Sequence, residues 1–206
     1  MHATKSAPKG TAKSSSRVDD RRIQRTHQTL RDALIGLILE KGWDAISVLD
    51  LCDRANVGRS TFYTHFADKE DLLISGFADL RKGLRAMCWN APGAVEPGQP
   101  LLFLRGLIEH VSDNQRLCRA LVGKRSGLVV QNQFRKLLLD LLKDDLADVA
   151  PAGQRLDAAK HFLAGALFEM LNWWLEQPRG PEGPAQLEAL FLQLALPVLA
   201  TLRKAR

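Results

Sequence analysis

Residues 45–69 read AISVLDLCDRANVGRSTFYTHFADK, and their pattern predicts the structure of the N-terminal part of the chain. In its first half the apolar residues recur three and four positions apart, which places them on one face of an α-helix. They are Val48, Leu51, Cys52 and Ala55. Ser47 precedes this helix and Asp50 follows three positions later, which predicts a capping box at the helix start.

A short turn separates this helix from a second one. Asn56, Val57 and Gly58 interrupt the apolar pattern, and we expect Gly58 to supply a backbone conformation that other residues resist. In the second helix Phe62 and Phe66 lie four positions apart and point to the core. The remaining positions offer polar side chains to solvent: Arg59, Ser60, Thr61, Tyr63, Thr64 and His65. The arrangement predicts a helix-turn-helix, whose outward side chains suit a DNA groove.

Two cations stand at neighbouring helix starts. Asp68 predicts the cap of a third helix, with Asp71 three positions on, and Lys69 lies in its first turn; Arg59 has the same place in the preceding helix. A cation there opposes the helix dipole, unless an anion such as a DNA phosphate docks nearby. The alternative is that both are ordinary solvated surface residues.

The motif resembles a known family. Residues 42–73 (GWDAISVLDLCDRANVGRSTFYTHFADKEDLL), with the preceding helix from about Arg22 to Lys41, are similar to the N-terminal DNA-binding domain of TetR-family transcriptional regulators. The resemblance implies that the helix containing Phe62 enters the major groove. By the same resemblance Arg59, Thr61 and Thr64 reach base edges. The implied phosphate contacts are Tyr63, His65, Lys69 and the capping Ser47.

Composition agrees with a nucleic-acid partner. The chain has 206 residues, a net charge of +6 and a pI of about 9.5. Most of the excess positive charge lies in residues 1–25. The first 16 residues lack an apolar stripe, so we expect residues 1–20 to be a disordered basic tail. Such a tail either contacts DNA or is inert.

The compartment is expected to be the cytoplasm. No apolar signal region follows Met1, and we find no run as long as the roughly 18 apolar residues of a membrane span. Cys52, Cys88 and Cys118 are scattered and odd in number. We therefore interpret them as reduced thiols, with redox sensing as the less favoured alternative.

The rest of the chain is helical by pattern. We predict an all-α protein of about nine helices, without strand alternation. Residues 21–70 form the helix-turn-helix domain, and residues 71–206 form a helical regulatory and dimerisation domain. Proline- and glycine-rich segments at 91–100, 151–154 and 178–184 predict loops, and Pro197 should bend the last helix.

Two C-terminal helices predict a homodimer. Residues 162–175 (FLAGALFEMLNWWL) are apolar on nearly every side, so this helix needs burial on more than one face. We assign Phe162, Ala166, Met170 and Trp173 to the dimer interface, together with Leu190 and Leu194 of the last helix. Paired TetR-family subunits would then read a near-palindromic site. A monomer with a well-filled core is the alternative.

The resemblance implies a sequence-specific repressor, released by a small-molecule effector of unknown identity. A non-specific architectural DNA-binding protein, a regulator controlled by a partner protein, and a helical protein-interaction module remain alternatives. We predict no enzymatic activity, metal site or cofactor, because the sequence has no His-Glu-x-x-His motif, phosphate-binding glycine loop or nucleophile elbow. His110, Glu169 and Asn172 are the polar residues we considered for an effector pocket.

Overall fold

The computed structural model describes residues 12–90, 100–122, 127–147, 152–177 and 183–203. This part of the chain consists of nine α-helices and contains no strand, which confirms the predicted all-α class. The helices are α1 (Ala12–Lys41), α2 (Val48–Ala55), α3 (Arg59–His65), α4 (Lys69–Asn90), α5 (Phe103–Asp113), α6 (Gln115–Val122), α7 (Leu128–Asp145), α8 (Gln154–Glu176) and α9 (Pro184–Arg203).

The first hydrophobic core joins α1, α2, α3 and the start of α4. Phe62 of α3, Leu51 of α2 and Leu30 of α1 are completely buried in it. Burying side chains of this size contributes about 1.5–3 kcal/mol each relative to leaving them exposed. Five apolar residues of α1 recur at helical spacing and are buried in this core: Leu30, Ala33, Leu34, Leu37 and Ile38.

A second, larger core lies among α4, α5, α7, α8 and α9. Leucines from three helices are fully buried at its centre: Leu104 and Leu107 of α5, Leu138 and Leu142 of α7, and Leu167 of α8. These residues recur at helical spacing, so each helix contributes one apolar face. The C-terminal helices therefore form a packed unit of their own.

Helix α4 belongs to both cores. Leu72 and Leu73 in its first turns are buried in the first core, and Leu84 is buried in the second. Phe77, between them, packs against both. Salt bridges join α4 to a helix on each side, through Arg31–Asp79 with α1 and Arg81–Asp144 with α7. The helix is thus a continuous connection between the two cores.

The structure corrects the predicted start of α1. This helix begins at Ala12, not near Arg22, so residues 12–20 are helical where we predicted a disordered tail. No glycine or proline lies between residues 11 and 35, so nothing in the sequence stops the helix from extending toward the N-terminus. The predicted tail residues 1–11 and most of the three predicted loops lie outside the described residues.

The last helix differs from expectation in its hydropathy. Helix α9 contains Pro197 inside it, as predicted, and the bend expected there stays a prediction. Its segment Pro184–Leu202, with a mean hydropathy of 1.6, is long and apolar enough to cross a membrane by length and composition. The prediction of no such run was therefore wrong, because Glu188 is the only charged residue in this segment. Five of its residues pack into the second core: Leu187, Phe191, Ala195, Leu199 and Leu202. An apolar helix with one face buried in this way is typical of the core of a folded domain.

Candidate nucleic-acid interface

The start of α2 is fixed by the predicted capping box. The Ser47 hydroxyl accepts a hydrogen bond from the Asp50 amide (3.2 Å), and the Asp50 carboxylate accepts one from the Ser47 amide (2.7 Å). Lys41 lies 2.8 Å from the same carboxylate. Hydrogen bonds from Lys41 and then from Ser47 hold the pKa of Asp50 well below its usual range. The Ser47 hydroxyl also donates to Asp50, so a phosphate contact would have to compete for that proton.

The turn between α2 and α3 depends on Asn56, not on Gly58. Asn56 is left-handed (φ 50°, ψ 47°), whereas Gly58 has φ −64° and ψ 146°, which any residue adopts. Asparagine tolerates the left-handed region better than most residues, and the backbone N–H of Asn56 donates to the carbonyl oxygens of Asp53 and Cys52. The role that we predicted for Gly58 was therefore wrong.

Helix α3 presents a polar face to solvent. Phe62 is fully buried and Phe66 nearly so, which fixes the opposite face against α1 and α2. Tyr63 is 58% exposed, with its ring edge-on to Phe62 at 5.4 Å between centroids. The Thr64 hydroxyl donates to the Ser60 carbonyl (2.8 Å), so it lies along the helix backbone. The structure thus brings together five exposed side chains on α3: Arg59, Ser60, Thr61, Tyr63 and Thr64.

His65 is separated from this exposed group. It is half-buried and meets His27 of α1 edge-on, with 4.9 Å between the ring centroids. The Nε2 atom of His27 is buried without a hydrogen-bond partner among the described residues. Burial, followed by the charges of His65 and Arg31, lowers the pKa of His27. His65 at the end of α3 therefore packs against α1, a contact that the sequence pattern did not reveal.

Lys69 has partners that we did not predict. Its ammonium group donates to the carbonyl oxygens of Trp43 (3.1 Å) and Ile46 (2.8 Å), and lies 4.7 Å from the centroid of the Trp43 ring. These bonds offset the unfavourable position of a cation at the start of α4. An ammonium has three N–H donors, so one remains for a phosphate.

An open basic groove of about 650 Å³ runs between α1 and α4 on the same domain. Its cationic side chains are Arg21, Arg25 and Arg31, and Asp79 is the acidic residue in its lining. The positive charge of residues 1–25 was visible in the sequence, but not its position beside α4. No group of three or more potential metal ligands occurs among the described residues.

The residues assigned to the dimer interface divide into two groups. Phe162, Trp173, Leu190 and Leu194 are exposed, between 41% and 60% of their surface, whereas Ala166 and Met170 are half-buried and touch the second core. The opposite side of α8 is buried in that core, at positions including Leu163, Leu167 and Leu171. Helices α8 and α9 thus carry large apolar side chains outside the core of the single chain.

Comparison with known proteins agrees with this arrangement. Residues 30–75 match the sequence model for bacterial regulatory proteins of the tetR family, and residues 99–194 match that for a transcriptional regulator C-terminal region. The uncharacterised HTH-type regulator YxbF of Bacillus subtilis is 40% identical over 55 residues, which are 26% of this chain and 14% of that protein. The HTH-type transcriptional regulator AcrR of Shigella flexneri is 26% identical over 175 residues, covering 76% of this chain and 81% of that protein.

Comparison of the structure with solved structures points to the same family. A TetR transcriptional regulator from Streptococcus agalactiae superimposes with a TM-score of 0.64 and 28% identity, over 87% of this chain and 98% of that one. The two matching sequence models cover most of the chain, including the helix-turn-helix and the C-terminal helices. The chain therefore belongs to the TetR family of bacterial transcriptional regulators.

Proposed function

We propose that the protein is a homodimeric repressor that binds a near-palindromic operator and leaves it when a small molecule binds the C-terminal domain. The observation that carries the proposal is the exposed polar face of α3, held in place by the buried Phe62 behind it. A helix of this kind can enter the major groove, where base edges present distinct hydrogen-bonding patterns.

Within this interface we assign base contacts to Arg59, Thr61 and Thr64. Arg59 is the strongest candidate, because a guanidinium can donate two hydrogen bonds to guanine. Phosphate contacts are assigned to Ser47, Tyr63, His65 and Lys69, with Ser60 available to either. The exposure of Tyr63 supports its assignment, whereas the half-buried His65 would have to share its ring with the contact to His27.

Dimerisation would cover the apolar side chains on α8 and α9. Phe162 and Trp173 lie on one flank of α8, and Leu190 and Leu194 are one turn apart on α9, all exposed in the single chain. Large exposed apolar patches on a soluble protein typically mark an interaction site. Pairing these two helices with their copies across a twofold axis would fix the distance between the two α3 helices.

Control by a ligand would act through α4, which belongs to both cores. A ligand changes operator affinity only if it binds one arrangement of the helices better than the other. Polar atoms on the helices of the second core support a pocket beside it: Asn172 Oδ1 and Trp174 Nε1 are buried without partners among the described residues, and burial lowers the pKa of His110. Glu169 is exposed and pairs with Arg135 at 3.6 Å, so it is a weaker candidate.

We place this regulator in the cytoplasm and propose no catalytic activity. Transcription is controlled there, and Cys52 and Cys118 are buried free thiols, as expected under reducing conditions; the side chain of Cys88 lies outside the described part.

Selection of bound duplexes from a random DNA pool tests the proposal. We expect enrichment of an inverted repeat with half-site centres about one helical turn, roughly 10 base pairs, apart. Binding with steep salt dependence but without enrichment would point to an architectural DNA-binding protein instead. Failure to retain any duplex at physiological salt would point to a protein-interaction module.

A further inference from the structure

The first turn of α7 touches the DNA-binding domain. Val130 of α7 is fully buried in the first core and the half-buried Val129 packs against it, whereas the buried residues of α7 from Phe134 onward belong to the second core. Gly127, which precedes α7, faces the loop after α1: a Cβ atom there would lie 2.9 Å from Asp44 Oδ1 and 3.1 Å from Trp43 Cδ1. A methyl group at residue 127 would therefore require the Asp44 carboxylate to move and the Trp43 ring to shift by a few tenths of an ångström.

The same loop is also bound by α4. Trp43 is 5% exposed, and Lys69 both lies over its ring and holds its carbonyl oxygen. The second carbonyl held by Lys69 is that of Ile46, the residue immediately before the Ser47 cap of α2. The loop is therefore fixed between the first turns of α4 and α7, and it leads directly into the helix-turn-helix.

We infer that Lys69 is a positioning residue for operator binding, which transmits the arrangement of the C-terminal helices to α2 and α3. The chain of contacts runs from Gly127 and Val130 through Trp43 to Lys69, and these four residues are named the Trp43 joint. A shift of α7 displaces the Trp43 ring, and the two carbonyl bonds of Lys69 carry the shift to the start of α2. This inference rests on the proposed operator binding.

The geometry at residue 127 provides a matched pair of substitutions. Gly127 has φ −59°, so alanine there causes no backbone strain, and any effect comes from the added methyl group. The exposed Asp44 carboxylate can move away from it, whereas the buried Trp43 ring is held by Lys69. Gly153, which precedes α8, has nothing within 4 Å of its Cβ position and is the control.

Operator affinity is the first readout. With a duplex obtained by selection, we expect Gly127→Ala to weaken binding about fivefold or more, the lower end of typical coupling between sites, and Gly153→Ala to bind like the wild type. Thermal unfolding of both variants verifies that they are folded. Wild-type affinity in Gly127→Ala would overturn the inference.

Hydrogen exchange is the second readout, because coupling between two sites is reciprocal. The amides of Val130 and Gln131 donate to the Gly127 carbonyl, at 3.0 and 3.3 Å. Operator binding should slow their exchange about fivefold or more in the wild type, and this protection should be lost in Lys69→Met. If Lys69 only contacted a DNA phosphate, Lys69→Met would lower the slope of log affinity against log salt concentration by about one and leave the protection of the α7 amides intact. That result would refute a positioning role.

The outcomes separate this inference from the proposed function. If no duplex is selected, operator binding and the inference fail together. If a duplex is bound selectively but the α7 amides exchange at the same rate with and without it, only the inference about the Trp43 joint is refuted.

Discussion

Arg59 and Phe62 have opposite roles on α3. Phe62 is completely buried and fixes the helix, while Arg59 is exposed at its first position. The four-residue spacing of Phe62 and Phe66 made this division predictable from the sequence. The partners of Lys69 were not predictable in this way, because Trp43 and Ile46 are 26 and 23 residues away from it.

Replacing Arg59 with alanine tests its assigned base contact. We expect a loss of roughly 1–3 kcal/mol on the best duplex and relaxed preference at one base position, because a guanidinium contact to a base edge would be missing. Fluorescence anisotropy with the selected duplex and its single-base variants measures both effects. Lys82→Ala, an exposed cation on α4, is the control and should bind normally. An equal loss on every duplex would make Arg59 a phosphate contact.

His27 gives the folded protein a pH dependence of known sign. Its pKa lies below the ordinary value of 6.5 in the folded state, chiefly through burial, so the unfolded chain takes up the proton more readily. The free energy of unfolding should fall as the pH drops through 6.5, and His27→Gln should make this slope shallower. His110 has a pKa shifted in the same direction, so part of the slope will remain. Chemical denaturation at several pH values measures the slope; an unchanged slope in the variant would contradict this account.

At the scale of elements, the helices were the most predictable part of the fold. Apolar spacing indicated the helices, and capping residues marked the starts of α2 and α4. The structure confirms the predicted capping box at Ser47 and the cap at Asp68, whose carboxylate accepts a hydrogen bond from the Asp71 amide (2.8 Å). The start of α1 was missed because polar residues without glycine or proline leave no mark at a helix boundary. The left-handed turn residue was missed because asparagine and glycine both suit that conformation, and Asn56 and Gly58 are only two positions apart.

The Ser47 cap offers a test at this scale. Ser47→Ala removes the acceptor for the Asp50 amide and should lower the free energy of unfolding by about 1 kcal/mol. Thr26→Ala is the control, because the Thr26 hydroxyl bonds to the Arg22 carbonyl one turn back in α1 and caps no helix start. Denaturant unfolding of both variants gives the comparison. Equal stability of Ser47→Ala and the wild type would show that the cap contributes little.

For the whole molecule, the sequence predicted two helical units but not the contacts between them. The salt bridge between Arg81 and Asp144 joins residues 63 positions apart, and Val130 of α7 enters the core of the N-terminal domain. Such contacts depend on the final packing of α4 and α7 and have no local sequence signal. The apolar residues of α8 were predicted as a group, and their division into a buried and an exposed face came from the structure.

The proposed dimer predicts a difference between two leucines of α9. Leu194 and Leu196 are both exposed, but they lie on opposite flanks of the helix, and only Leu194 belongs to the proposed interface. Leu194→Asp should shift the protein to a monomer, because pairing would bury an unpartnered carboxylate, while Leu196→Asp should remain dimeric. Sedimentation velocity distinguishes the two states, and circular dichroism verifies folding. A folded, dimeric Leu194→Asp variant would refute this interface.

In the proposed complex two copies of α3 read one duplex together. The affinity of the full chain for the selected inverted repeat tests this, compared with a scrambled duplex and with the same repeat after insertion of half a helical turn between its halves. We predict binding to the intact repeat about a thousandfold tighter or more than to the scrambled duplex, and most of that advantage lost on insertion. Equal affinity for all three duplexes would contradict the account.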